Sequence, residues 1–435
     1  MKHIQLFVCL FLPVALYAQT PMKLNDCIRL AWRQYPGLKN GEIRIQEAHA
    51  DYVSSIGDFL PRITLKGEVG KRYGRSINPA TNGYVNKDFE EGTIGLDMTF
   101  SLFEGFSRIN KVRFQKINKE CSEWKLKEER NELAYQVTEA YYKLLLEEKL
   151  LDLSREQSRL SERYLKQTEA FVEIGLKSVS DLQEVKARRD GDAFRYSSRK
   201  NGYQMALLQL KQLMNFTPAD TLIMQDEINE EELPVYSVPQ VDTLYSQSAI
   251  VQPSLKIAGL SVRAARKRYA MEKGKFLPSV FFCFSAGSNY CNTTFSSRQL
   301  RDNIGKYIGI GISFPLLSGL ERVTALRKQN LNIDRMQNEE DLQKQKLYAN
   351  VEQTVLSLQA GNEEYQQALQ QVRAESFVLR ESERKWEEGL ISVFQLMEAR
   401  NRYISAKAEL TRVRLQMEMT IKLEHYYRTG TFLQE

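Results

Sequence analysis

The chain has 435 residues, 27% of them charged, and a formal net charge of +6. Because basic and acidic residues alternate along the predicted helices, the small basic excess indicates solvated helix faces and argues against a nucleic-acid groove. Four of the five cysteines follow residue 18 and form no CxxC pair, which excludes the usual zinc and redox motifs.

Residues 1–18 are predicted to be a signal peptide. Lys2 and His3 give a short basic start, and an apolar run reaches Leu16, just before a cleavable Ala18–Gln19 bond. The run is too short for a membrane-spanning helix. Cys9 lies inside it instead of after the cleavage site, so we expect cleavage without lipidation.

Residues 19–215 are predicted to form a first structural repeat. A helix from about Leu24 to Phe59, with Pro36 in the first turn of its main part, ends at Pro61. Two alternating segments, about 62–73 and 93–103, predict strands. A long helix, 106–172, a tight turn at Gly175 and a helix over 179–215 follow. At 1.5 Å per residue, the long helix spans roughly 100 Å.

Residues 241–429 repeat this order. Phe59-Leu60-Pro61 matches Phe276-Leu277-Pro278, and Gly175-Leu176-Lys177-Ser178 matches Gly389-Leu390-Ile391-Ser392. The predicted elements are a helix over 241–277, strands at about 279–290 and 307–316, a long helix over 318–387 and a helix over 392–427. A Pro-containing acidic linker, 216–240, separates the repeats, and 430–435 is a C-terminal tail.

The predicted strands carry one apolar and one polar face. We expect the apolar face to meet lipid. Its predicted members are Ile63, Leu65, Ile94, Leu96, Met98, Val280, Phe282, Ile308, Ile310 and Ile312. Tyr73 and Tyr290 occupy the far ends of the two first strands, where aromatic residues suit a membrane-interface girdle. Cys283 and Cys291 flank one strand and could pair only if a turn brought them together.

The long helices show the spacing of a coiled coil. In the second repeat, steps of four and three residues connect Val351, Val355, Leu358 and seven further positions to Trp386. The first repeat keeps this spacing from Leu133 to Leu144. Sustained helix–helix packing is therefore predicted.

Four membrane strands cannot close a barrel, and open sheet edges are not tolerated in lipid. Oligomerisation is therefore required, and three copies supply twelve strands. The predicted fold is mainly α with membrane β: a long coiled-coil helical barrel and a 12-stranded β-barrel shared by three chains, four strands from each.

The chain contains a Leu24-Asn25-Asp26 start, Phe59-Leu60-Pro61, a Phe103-Glu104-Gly105 exit from the second strand and the two glycine turns. In their order and spacing, these features resemble the TolC-like outer-membrane efflux family. The resemblance implies a homotrimer in the bacterial outer membrane that extends into the periplasm. It also implies a passive duct of a tripartite efflux or type I secretion system. The periplasmic tip would dock on an adaptor (membrane fusion) protein and an inner-membrane transporter. The residues assigned to this tip are Gly175, Ser178, Gly389 and Ser392.

The resemblance further implies a constriction at the periplasmic tip, formed by acidic residues of the family. By position these fall on Gln395 and Glu398, of which only Glu398 is a carboxylate here. A closed resting state, opened by hairpin movement about Gly175 and Gly389, is expected.

No enzyme signature is present: after residue 18 the histidines are His49 and His425, without a nucleophile motif, and no cofactor is expected. The alternative is a trimeric coiled-coil adhesin or structural spacer anchored by a small barrel. Small molecules, metal ions and polypeptides all stay open as cargo.

Overall fold

The computed structural model describes residues 22–77, 82–216, 233, 235–292 and 295–433. The predicted signal peptide and most of the predicted linker lie outside the described residues. Within the described ranges, no helix combines the length and the apolar character needed to cross a bilayer.

Long helices dominate the chain, and a small antiparallel sheet interrupts them. The helices are α1 (Leu24–Gln34), α2 (Pro36–Gly57), α3 (Ser107–Glu173), α4 (Val179–Leu213), α5 (Val241–Val251), α6 (Pro253–Gly274), α7 (Ser297–Asp302), α8 (Glu321–Glu387) and α9 (Val393–Thr429). The strands are β1 (Arg62–Arg72), β2 (Arg75–Ile77), β3 (Tyr84–Asn86), β4 (Phe89–Glu104), β5 (Ser279–Asn292) and β6 (Gly305–Ser313).

Two compact units are formed from alternating parts of the chain. The sheet unit comprises Lys39–Glu129 and Gln252–Tyr348. The helical unit comprises residues up to Leu38, Arg130–Val251 and Ala349–Glu435, so it contains both ends of the described chain.

Prolines divide two helices that the sequence pattern predicts as continuous. Tyr35 and Gln252 have ψ angles of 119° and 124°, which place them in the extended region. Each precedes a proline, whose ring disfavours helical geometry in the preceding residue. Pro36 and Pro253 then start α2 and α6 at the first helical position, where no backbone donor is needed.

In the sheet unit, the four main strands pair in the order β1-β4-β5-β6, all antiparallel. β2 and β3 form a separate small hairpin. The pairing of β4 with β5 shifts between Ser101 and Phe103, which makes Leu102 a β-bulge. Because the bulge moves the alternation by one residue, Phe103 pairs with Val280 and stays on the apolar face.

The strand ends differ from the prediction. β4 begins at Phe89, four residues early, because the polar pair Glu90 and Glu91 continues the pairing with β1 and β5. β6 ends at Ser313, since Pro315 has no N–H to donate to a ladder. β5 is continuous from Ser279 to Asn292, so no turn brings Cys283 near Cys291, and both thiols are free.

In the helical unit, the predicted coiled-coil seam is confirmed as buried or half-buried. Val351 and Leu358 are fully buried, as are Val137 and Leu144 on α3. The chain end is also fixed: the ring of Phe432 stacks on Tyr426 at a centroid distance of 4.4 Å. The predicted C-terminal tail is therefore packed up to at least this residue.

Candidate functional site

The predicted turn after the first long helix is built from two complementary caps. Gly175 has φ 76°, in the left-handed region. The N–H of Leu176 donates to the carbonyl of Phe171 at 2.8 Å, and the N–H of Gly175 donates to Val172 at 3.0 Å. This double pattern is a Schellman motif, which satisfies the last carbonyls of α3.

Ser178 then starts α4. Its hydroxyl accepts from the N–H of Asp181 at 3.1 Å, and its own N–H donates to the Asp181 carboxylate at 3.1 Å. This capping box satisfies two free donors at the helix start. The hydrogen bond from the Ser178 backbone keeps the pKa of Asp181 below its usual value.

The second turn repeats the hydrogen-bond pattern of the first, with Gln395 in the place of Asp181. Gly389 has φ 74°, and the N–H of Leu390 donates to Lys385 at 2.7 Å. Ser392 caps α9 and forms the same box with Gln395: its N–H donates to the Gln395 Oε1 at 2.9 Å, and its hydroxyl accepts from the Gln395 N–H at 3.2 Å. Both turns thus combine a left-handed glycine with a serine cap three residues later.

The structure gives Gln395 a second role, because its amide belongs to the helix cap. Both Gln395 and Glu398 are exposed on α9. Asp181 and Glu184 stand at the same distances after Gly175 as Gln395 and Glu398 do after Gly389. The first turn therefore carries a carboxylate at both positions, whereas the second carries only one.

A hydrophobic cluster joins the two helical hairpins that these turns close. It includes Leu160, Val185 and Leu396, contributed by α3, α4 and α9, and the ring of Trp386 from α8 packs against it. Tyr164 meets Trp386 edge to face at 5.6 Å. Burial raises the pKa of the Tyr164 hydroxyl.

Polar contacts extend this junction. The guanidinium of Arg400 lies 3.4 Å from the Tyr164 hydroxyl oxygen, to which it donates, and 3.6 Å from the Glu383 carboxylate. Arg400 on α9 thus connects α3 with α8.

A buried carboxylate that the sequence pattern did not indicate lies further along the same helices. Asp192 is 1% exposed. It accepts hydrogen bonds from the Ser161 hydroxyl, from the Arg195 guanidinium and, at 3.3 Å, from the Gln157 amide. Gln157 also donates to Asn401 at 3.0 Å, which adds α9 to the network. In sequence, Asp192 looks like part of an ordinary charged helix face, so no signal identified it.

The strand register places the predicted apolar residues on one face of the sheet. Residues directly opposite each other share a face. Ile63 pairs with Met98 and Leu65 with Leu96. The row of Ile63 and Met98 continues across the sheet, because Phe284 opposes both Met98 and Ile308. The side chains of Ile63, Leu65, Ile94, Leu96, Ile308, Ile310 and Ile312 are exposed in the single chain, whereas Met98, Val280 and Phe282 are half-buried.

The opposite face is polar. Thr64, Asp97 and Ser285 lie in one row across the first three strands of the sheet. Lys66 and Asp97 form an ion pair at 3.0 Å on this face.

The prediction that Tyr73 and Tyr290 both belong to a membrane-interface girdle is wrong for Tyr290. Tyr73 is 72% exposed, but Tyr290 is only 4% exposed. Tyr290 lies against Gly92, whose added Cβ would be 2.4 Å from the tyrosine ring, and meets Phe295 edge to face at 5.2 Å. Asn303 fixes the nearby segment by donating to the carbonyl of Asn289 at 2.8 Å.

The described residues contain no group of three or more His, Cys, Asp or Glu side chains that could hold a metal ion.

Known proteins resemble this chain over part of their length. The alkaline protease secretion protein AprF of Pseudomonas aeruginosa is 24% identical over 279 residues, which cover 62% of this chain and 56% of AprF. The outer membrane protein TolC of Salmonella enteritidis is 24% identical over 297 residues, or 66% of this chain and 58% of TolC. The chain thus matches less than two thirds of the length of these relatives.

The fold is that of known channels. The crystal structure of the Campylobacter jejuni CmeC outer membrane channel superimposes with a TM-score of 0.81 at 16% identity, covering 94% of this chain and 85% of CmeC. A likeness at this identity establishes the fold alone.

The family model described as "Outer membrane efflux protein" matches residues 27–215 and 244–420, which is most of the chain. The two matched segments contain both turns and all four strands of the main sheet. The sequence resemblance is thus confirmed, and the chain belongs to the outer membrane efflux protein family.

Proposed function

We propose that this chain is one subunit of an outer-membrane exit duct of a tripartite efflux or type I secretion system. The observation that carries the proposal is the sheet, whose apolar face is exposed in the single chain. Leu65 and Ile310, on opposite edge strands, are 71% and 67% exposed. A continuous exposed apolar face of this kind needs a membrane or a partner to cover it.

The sheet edges support assembly into a homotrimer. Within the described residues, β1 and β6 each pair on one side only. Unpaired backbone groups are not tolerated in lipid. If β6 of one subunit pairs with β1 of the next, three subunits supply twelve strands and close the sheet. The polar face, with Lys66 and Asp97, would then line the interior.

The apolar face would meet the outer-membrane lipid. The ten predicted lipid-facing residues share one face of the sheet, which supports the assignment. The names of the relatives agree with this location, since TolC and the CmeC channel are both called outer membrane proteins or channels.

The two turns are proposed to contact a periplasmic adaptor protein, which would link the duct to an inner-membrane transporter. Apolar side chains are exposed at both turns: Ile174 and Leu176 at the first and Leu390 at the second are each 67–68% exposed. Around Gly175 and Gly389 there is open space. Exposed apolar residues beside rigid caps are suited to a partner that buries them.

The constriction is proposed to lie near Gln395 and Glu398. Both side chains are exposed on the first two turns of α9, as this role requires. Because the Gln395 amide also caps the helix, Glu398 is the better candidate for a charge that cations meet.

We also propose that the chain consists of two structural repeats, 19–215 and 241–429, joined by the linker 216–240. The order helix, strands, long helix, turn and helix occurs twice. The long helices α3 and α8 both have 67 residues, and both end in the same caps. The two halves differ in their strand connections, where β2 and β3 stand in one and α7 in the other.

The names of the relatives indicate two different classes of cargo. AprF is named for the secretion of a protease, whereas another relative, BepC of Brucella suis, is named as an efflux protein.

The proposal is tested by placing a charge on each face of β4. Leu96→Lys should destabilise the assembled trimer by about 2–4 kcal/mol if the side chain meets the middle of the bilayer. Thr93→Lys is the matched control, because it adds the same charge to the polar face of the same strand. Trimer yield and heat dissociation after reconstitution would be measured. Equal behaviour of the two variants would reject the lipid-facing assignment.

Electron microscopy separates the duct from the adhesin or spacer alternative. A duct must show a continuous lumen through its helical part, whereas a spacer would show a packed coiled coil. Ion conductance across a planar bilayer is the corresponding functional test.

A further inference from the structure

A cavity of about 550 Å³ opens between the two helical hairpins of the helical unit. It is lined by the aromatic side chains of Phe171, Trp386 and Phe394 and by the aliphatic side chains of Val185 and Met397. Its volume falls in the range of sites for small organic molecules, which are mostly apolar with a few polar groups.

Arg188 is the basic side chain of α4 that lines this cavity. Its Nε is buried and has no hydrogen-bond partner in the described part of the chain, so a ligand would have to meet the outer part of the guanidinium. A guanidinium is also suited to planar anions, because it presents several donors in a fixed geometry.

The cavity lining carries two acidic and two basic side chains. The carboxylate of Asp181 accepts the N–H of Ser178 in the helix cap. Glu184 and Lys177 are both exposed to solvent, so their charges are screened and offset each other. Arg188 is only half-exposed and is therefore the charged side chain that a ligand in the cavity would meet most closely.

We propose that this cavity binds an aromatic organic anion, with its rings between Trp386 and Phe394 and its carboxylate or sulfonate at Arg188. Such a ligand would touch α3, α4, α8 and α9 at once. It would therefore bridge the two turns of one subunit. This site goes beyond the proposed duct function, since it requires neither an adaptor nor transported cargo.

The test uses 8-anilinonaphthalene-1-sulfonate as probe and the full chain in lipid nanodiscs, with the signal of empty nanodiscs subtracted. Energy transfer from tryptophan to the bound probe is measured. The chain has three tryptophans, and the Trp386→Phe variant gives the transfer that arises from the other two. The difference in energy transfer between the unmodified chain and Trp386→Phe reports probe that is bound next to Trp386. We expect this difference to saturate with probe concentration.

Arg188→Gln should weaken the probe affinity about tenfold, the loss expected for one charged hydrogen bond. The probe affinity of Arg188→Lys should lie between those of the unmodified chain and Arg188→Gln, because lysine keeps the charge but lacks the forked set of donors of a guanidinium. Lys200→Gln is the matched control: it removes a positive charge from an exposed position on the same helix, outside the cavity. Its affinity should equal that of the unmodified chain.

An uncharged probe, N-phenyl-1-naphthylamine, tests the anion preference. We expect it to bind more weakly than the sulfonate and to be insensitive to Arg188→Gln. Absence of a saturable Trp386-dependent signal would overturn the site. Equal affinity of the two probes, or an unchanged affinity in Arg188→Gln, would overturn the assignment of an anion. Neither result would bear on trimer assembly or conductance, which test the duct function separately.

Discussion

The carbonyl oxygen of Gly274 lies 2.0 Å from the point where a Cβ on Gly105 would stand. The approach is mutual, because a Cβ on Gly274 would lie 2.3 Å from the carbonyl oxygen of Gly105. The nearby hydroxyl of Ser107 donates to the carbonyl of Met271 at 2.8 Å. The exit from β4 into α3 is thus pressed against the end of α6 with no room for a side chain.

Gly105→Ala should therefore destabilise the protein by about 3 kcal/mol or more, in the upper range for single substitutions. Gly175→Ala is the matched control. Both glycines have positive φ, but open space surrounds Gly175, so only the backbone cost of about 1–2 kcal/mol applies there. Thermal unfolding followed by circular dichroism would compare the two. Equal losses would mean that the close approach relaxes without cost.

The buried aromatic contact on β5 predicts an asymmetry between two tyrosines that correspond in sequence. Tyr290→Ala should cost about 3 kcal/mol, because it removes a packed ring. Tyr73→Ala should stay within about 1 kcal/mol, since Tyr73 is exposed and its contact with a described residue is that with Lys71, which lies over its ring at 5.4 Å. Urea-unfolding midpoints of the reconstituted variants are the measurement. A similar cost for both would indicate that the two rings share one membrane-interface role.

The carboxylate of Asp192 is predicted to stabilise the helical unit. Asp192→Asn should cost about 1–3 kcal/mol, because the amide group presents donors where Ser161, Gln157 and Arg195 also donate. Asp190→Asn is the control, since Asp190 is exposed on the same helix and should change stability by no more than about 0.5 kcal/mol. Guanidinium unfolding monitored by tryptophan fluorescence would show the difference. If neither substitution changes the free energy of unfolding, the stabilising role of this network is contradicted.

Tyr427 predicts a loss of stability at alkaline pH. Burial raises the pKa of its hydroxyl from 10.0 to about 12. Between these values the unfolded chain releases a proton that the folded chain retains, so stability falls as the pH rises from 10 towards 12. The full effect of two pKa units is ~3 kcal/mol.

Tyr427→Phe should flatten this part of the stability curve, apart from a constant offset from the lost contact with Asn350. Unfolding free energies between pH 9 and pH 11.5 would be compared with those of Tyr73→Phe, whose exposed hydroxyl serves as the control. An identical slope in the Tyr427 variant and the unmodified chain would refute the prediction.

Glu398 is predicted to contribute to a preference for cations in the duct. Glu398→Lys should lower the preference for cations in single-channel recordings, because it replaces a negative charge near the proposed constriction by a positive one. Glu184→Lys makes the same change at the matching position after Gly175. A selectivity change only in the Glu184 variant would move the constriction to the first turn. No change in either variant would place it elsewhere.

Much of the helical architecture was predictable from local signals. Gly175 and Ser178 predict the end of α3 and the start of α4 within two residues, because a left-handed residue and a side-chain cap are properties of short sequences. The apolar seam through Val351 and Leu358 was equally visible, since periodicity depends only on spacing.

Other features depend on contacts between distant residues. Phe89 is buried at the start of β4, yet Glu90 and Glu91 after it look in sequence like a solvent-exposed loop. Asp192 and Tyr290 each look like surface residues until Ser161 and Gly92 are brought against them. A single sequence records neither partner.

The arrangement of the helical unit has a consequence for biogenesis. Near its start, Trp32 donates to the carbonyl of Arg130 at 2.9 Å, and at the end the amide of Asn131 holds the carbonyl of Gly430 at 3.2 Å. The helical unit combines residues up to Leu38 with Ala349–Glu435, so it cannot complete its packing before the second of these segments has been translocated. We therefore expect a secretion intermediate that lacks the segment around Gly430 to remain a client of periplasmic chaperones and a target for proteases. Translocation of this segment would be the step that allows the unit to complete its packing.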